Sequence, residues 1–145
     1  MQIKFVSVMV EEQAHALNFY TRVLGFEKMA DIPMGEHRWL TVTSPEGIDG
    51  VELVLEPMAF PPARVYQKAL FDAGISATAF TTKNIAAEFD RLWKLGVTFR
   101  GEPKDMGLIT AALFEDTCGN LIYLVQPAER PTPRRRWTAL RRTGE

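Results

Sequence analysis

The chain opens on an alternating run. In residues 3–10, IKFVSVMV, Val6, Val8 and Val10 fall on one face and Phe5, Ser7 and Met9 on the other, which predicts a strand. The period then changes. Ala16, Phe19, Tyr20 and Val23 follow the i, i+3, i+4, i+7 spacing of a helix, Leu24 extends the stripe, and Gly25 stands where a left-handed cap would stop it. Alternation returns in residues 38–44, with Leu40 and Val42 against Trp39, Thr41 and Thr43. It returns again in residues 51–57, with Val51, Leu53 and Leu55 against Glu52, Val54 and Glu56. Pro57, Pro61 and Pro62 then break the pattern, and residues 63–74 predict a short helix ending at Gly74.

The order restarts after that helix. Residues 75–82 predict a strand. Residues 84–96 predict a helix, with Asn84 as N-cap, Ile85, Phe89, Leu92 and Trp93 as its apolar face and Gly96 as its stop. Residues 97–103 predict a strand running into a turn. Residues 108–116 and 121–127 predict two more strands around the tight turn TCGN. The sequence thus describes an α+β chain with the element order βαβββ used twice. The first module spans 1–57, a helical connection 58–74, the second module 75–128 and a tail 129–145.

Charge separates the tail from the body. Residues 130–145 carry six arginines and one acid, a net +5, whereas residues 1–129 carry 11 basic and 17 acidic residues, a net −6. No recognised nucleic-acid fold surrounds the arginines, so a solvated, dispensable end is expected and nucleic acid is not an expected partner. The 46% hydrophobic content suffices for a packed core. No apolar run approaches the roughly 20 residues of a membrane span, and the N-terminus does not read as a signal peptide. One cysteine, Cys118, excludes an internal disulfide. A cytoplasmic location is expected.

The first half's ALNFYTRVLGF and the closing FEDTCGNLIYLVQP carry a resemblance. The chain resembles the vicinal oxygen chelate superfamily, which includes glyoxalase I, extradiol dioxygenases, fosfomycin resistance proteins and bleomycin-binding resistance proteins. The closing motif is similar to that family's D-x-x-G-N-x-I-x-L ending. The resemblance covers about residues 3–127 and implies paired βαβββ modules whose curved mixed sheets surround a concave cavity. In many relatives two chains, or two modules, complete each cavity, and the open sheets of such a fold favour a homodimer. In metal-using relatives four residues ligate one divalent ion. By motif those positions fall here on Phe5, Glu52, Ala77 (Thr78 if the register slips by one) and Tyr123. Only Glu52 is a ready ligand for a hard cation; Phe5 and Ala77 have no donor atom, and a phenol is a poor ligand at neutral pH. No metal and no other cofactor is predicted.

Alternation then assigns the cavity wall. If Val6, Val8, Val10, Leu40, Val42, Val51, Leu53 and Leu55 pack under the helices, the opposite face offers Phe5, Ser7, Met9, Trp39, Thr41, Glu52, Glu56 and Tyr123 as ligand-binding residues. Flat aromatic faces suit a planar molecule, and carboxylates among apolar walls suit a cationic or hydrogen-bond-donating one. The expected function is metal-independent binding of a planar small organic molecule, as the bleomycin-binding relatives do. The alternative is an enzyme of lyase, transferase or dioxygenase type, with a displaced metal site or with acid/base chemistry from Glu52, Glu56 and His37. His15 is expected to be a solvated helix residue, Glu115 and Asp116 solvated or capping groups, and Cys118 an incidental turn thiol.

Overall fold

The computed structural model describes residues 1–129; the arginine-rich tail, and the expectation that it is dispensable, lie outside the described residues. The order is β1 (Phe5–Val10), α1 (Gln13–Asn18), β2 (Glu27–Met34), β3 (His37–Thr43), β4 (Glu52–Pro57), α2 (Pro61–Asp72), β5 (Thr78–Thr81), α3 (Ile85–Lys94), β6 (Lys104–Asp105), β7 (Ile109–Glu115) and β8 (Leu121–Pro127). The fold is α+β with two βαβββ modules. Each module forms an open four-stranded mixed sheet, β1-β4-β3-β2 and β5-β8-β7-β6, in which the first strand runs parallel to the last and the other pairs are antiparallel.

The helix ends follow from local chemistry. Glu12 caps α1 by accepting from the amides of Ala14 and His15, and Asn84 caps α3 by accepting from Ala87. After Asn18 the first helix widens into a π-turn over Phe19–Val23, where the Leu24 amide reaches back to the Phe19 carbonyl. The Thr21 hydroxyl donates to the Leu17 carbonyl in the same turn. Gly25 and Gly96 both stop their helices at positive φ, +82° and +86°.

Two strands differ from the sequence reading. The βαβββ order calls for a third strand in the first module that alternation does not mark; it lies at residues 27–34, where β2 is the longest strand among the described residues. It is an edge strand, mostly exposed, with a register shift between Lys28 and Ala30 that interrupts its alternation. In the second module a strand was expected over residues 97–103. The chain there makes only an isolated bridge from Phe99 to Phe114, and the pairing strand is Lys104–Asp105. Gly101, at φ +126°, and Pro103 prevent a continuous ladder.

One core serves both modules. Val8, Val10, Leu40, Val42, Leu53 and Leu55 from the first sheet share a single buried cluster with Ala112, Phe114, Ile122 and Leu124 from the second. Phe80 of β5 meets the rings of Tyr20 and Phe26 edge-on, at 6.3 and 5.2 Å between centroids. Because strand side chains alternate, the opposite face of each sheet points away from this shared core.

Candidate functional site

On the outward face of the first sheet, register brings most of the expected residues together. Phe5 pairs with Glu52, Ser7 with Val54 and Met9 with Glu56 across β1 and β4, and Thr41 of β3 pairs with Val54. The Phe5 and Trp39 rings meet edge-to-face, 5.3 Å apart at 80°. Antiparallel pairing puts Ile32 beside Trp39 and Met34 beside His37, so the apolar face continues onto β2, where both side chains are more than half exposed. Alternation does not mark Ile32 and Met34, because the register shift between Lys28 and Ala30 interrupts it in β2.

Glu52 is buried, and both of its oxygens are engaged. Thr41 donates its hydroxyl to Oε1 at 2.7 Å, and the Lys4 ammonium sits 2.6 Å from Oε2. The Lys4 bond first, then the Thr41 bond, holds the Glu52 carboxyl below its ordinary range, against the opposing effect of desolvation. The main chain fixes the pair, because the Glu52 amide donates to the Lys4 carbonyl at 2.8 Å. Lys4 was missed by alternation because it precedes the first strand; its available signal was a cation one residue before the aromatic that pairs with the acid.

Other expected residues lie apart. His37 is five positions from Val42, which pairs with Leu53 next to Glu52, so roughly 16 Å of strand separates His37 from that end of the sheet. His37 instead lines a cleft of about 380 Å³ with Glu11, Glu12, Glu36 and Arg64. Glu56 shares the outward face beside Met9 but stands four residues along β4 from Glu52, about 13 Å away along the strand. Tyr123 belongs to the second sheet, paired with Ala79 and Leu113, and its neighbours Ile122 and Leu124 face the shared core. Within one chain Tyr123 therefore stands on the far side of that core from Phe5 and Trp39. The main clefts of the described residues, including one of about 620 Å³ between the modules, are not lined by Phe5, Trp39, Glu52 or Tyr123.

The TCGN turn is a buried junction. Asp116 was expected to be solvated or capping; it caps, but it is fully buried. Its carboxylate accepts from the Tyr20 hydroxyl and the Asn120 side chain at 2.8 Å each, and from the amides of Cys118 and Asn120 at 2.8 and 2.9 Å. Burial holds the Asp116 carboxyl above the ordinary range while those donors pull it down. Burial, then the charge of Asp116, pushes the Tyr20 phenol well up. The same two causes, in the same order, push the Cys118 thiol up, which leaves it unreactive at neutral pH. Gln67, the one buried residue of α2, directs its Nε2 at the carbonyls of Met9 and Cys118 and at Asn120 Oδ1. Glu115 pairs with Arg100, and His15 is exposed with its Nε2 2.9 Å from the Thr117 hydroxyl.

Residues 2–124 match the model of the Glyoxalase/Bleomycin resistance protein/Dioxygenase superfamily. The chain belongs to this superfamily. It is 51% identical to the uncharacterized protein YurT of Bacillus subtilis (strain 168) over 87% of this chain and 99% of that one. Among solved structures, UcmS2 is 32% identical with a TM-score of 0.74, covering 86% of this chain and 97% of that one. TnmS3, an antibiotic binding protein from Streptomyces sp. CB03234, is 30% identical with a TM-score of 0.69, covering 88% and 97%.

The positions that the superfamily resemblance would give to a metal ion do not fit one here. Phe5 offers no donor, both Glu52 oxygens are taken by Lys4 and Thr41, and the residue paired with Tyr123 is Ala79. Ala77, two residues before Ala79, also lacks a donor atom. Among the described residues, no three His, Cys, Asp or Glu side chains gather to hold an ion. No helix among them is long and apolar enough to cross a membrane.

Proposed function

We propose that the protein binds a planar small organic molecule without a metal, on the outward face of the first sheet. The observation that carries this reading is the Phe5–Trp39 edge-to-face pair, set on a face whose one buried acid is already neutralised by Lys4 and hydrogen-bonded by Thr41. Such a face offers flat apolar contact with few polar groups, as small-molecule sites do. The antibiotic-binding neighbour TnmS3 supports the same direction. In a single chain the centre of this face is covered, with Thr41, Val54 and Glu52 buried, while Ile32 and Met34 are exposed at its edge. A second copy, bringing Tyr123 and the outward face of its own second sheet, would complete the cavity, so the functional unit is a homodimer. The buried lone thiol of Cys118 suits a reducing, cytoplasmic setting.

Trp39 reports on this site. With Trp93→Phe and Trp137→Phe removing the other indoles, titration with a panel of planar aromatic compounds should quench the remaining fluorescence. Trp39→Ala should weaken binding of the best compound by about 1–3 kcal/mol, followed through that compound's own fluorescence anisotropy. Sedimentation should give twice the 16.4 kDa chain mass. Absence of quenching across the whole panel would refute the binding role, and a monomeric mass would refute the shared cavity.

A further inference from the structure

We propose that Lys4 sets the ligand's chemistry: the site selects a planar aromatic that brings an anionic or hydrogen-bond-accepting edge, such as a carboxylate or phenolate oxygen, and discriminates against a cation. This rests on the binding role proposed above and sharpens it.

The acid on this face is not available to a ligand. Both Glu52 oxygens already accept, and its side chain is only 10% exposed, whereas that of Lys4 is 49% exposed. What a ligand meets at this end of the sheet is therefore the ammonium. An ammonium carries three donors, and Glu52 is the one hydrogen-bonding partner of Lys4 Nζ among the described residues. The remaining donors are left for a ligand oxygen or for water.

Position adds to chemistry. Lys4 Nζ lies 5.5 Å from the centroid of the Phe5 ring, and Phe5 abuts Trp39. Because the two rings stand at 80°, a flat molecule stacks on one of them only; stacked on Trp39, it would turn its edge toward Phe5 and the ammonium above that ring. A cation placed there would either displace Lys4 from Glu52 or sit against a like charge, and both are unfavourable. An oxygen anion would complete the donors of Lys4 in a charge-assisted bond without disturbing Glu52. The other acids that register places on this face stand farther off: Glu56 about 13 Å along β4, and Glu27, opposite Thr43 on β2, two strands or about 10 Å away.

Three probes of similar flat shape separate these cases: anthracene-2-carboxylate, neutral 2-methylanthracene and cationic 9-aminoacridine. Affinities are read on the full-length protein at neutral pH from probe fluorescence anisotropy. The carboxylate is expected to bind about tenfold more tightly than the cation, with the neutral probe between them. Lys4→Met should cost the carboxylate about tenfold and change the neutral probe less than twofold, while Lys4→Arg should retain the preference. Glu52→Gln, which frees the ammonium, should tighten the carboxylate several-fold. If the cation binds as well as the carboxylate, or if Glu52→Gln and Lys4→Met leave the carboxylate unchanged, the inference fails while planar binding stands. If no probe binds, the binding role itself fails and this inference with it.

Discussion

The two modules have the same element order and carry different chemistry. Each runs strand, helix and three strands, and each stops its helix on a glycine at nearly the same positive φ. Their outward faces diverge. The first presents Phe5, Trp39, Thr41 and the Lys4–Glu52 pair; at the matching register the second presents Ala79, Leu113 and Tyr123. The inward faces remain alike, because both must fill one apolar core. The difference teaches that packing constrains the inward positions of a repeated module while leaving its outward positions free to specialise.

The comparison is broken most severely at the junction that joins the halves. Asp116→Ala removes the acceptor for four donors contributed by both modules. Leaving those groups buried without it should cost about 3 kcal/mol, read as a drop in urea midpoint. A loss below about 1 kcal/mol would mean that the modules are joined chiefly by apolar packing.

A smaller effect sharpens the likeness between the modules. A Cβ added at Gly25 or Gly96 meets nothing within 4 Å, so only backbone conformation opposes it. Gly25→Ala and Gly96→Ala should each cost about 1 kcal/mol, and the two values should agree. Unequal values in thermal unfolding would show that the π-turn before Gly25 changes what its cap is worth.

The smallest effect concerns the outward face of the first module alone. Glu52 has a lowered carboxyl pKa, so its contribution is fully present above the ordinary carboxylate value and is lost as pH falls through the lowered one. Lys4 is half exposed and the pair is screened by water, so the contribution should be about half a kcal/mol. The stability gap between wild type and Glu52→Gln should therefore shrink between pH 7 and about pH 3. A gap that widened on acidification would contradict the pairing.

Where burial is one-sided, the sequence was readable. Alternation in β1, β3 and β4 places Thr41, Glu52 and Phe5 on one face because Val8, Leu40 and Leu55 have to be inside. It fails for β2, an edge strand whose exposed side chains owe nothing to a core and whose register shifts at Met29. It fails for Lys4, which reaches its partner from outside the strand. It fails for Asp116 because charge in a turn suggests solvent. Here the turn's own amides and a tyrosine 96 residues away take the place of water.

The shared core also governs how the molecule comes apart. Tyr20 and Phe26 from one half close on Phe80 from the other, and Gln67 ties the connecting helix to both. Neither half can open without exposing the other's buried side. What began as two copies of one pattern must therefore melt as one cooperative unit. The most slowly exchanging amides should be shared between β4 and β8 instead of being confined to either module.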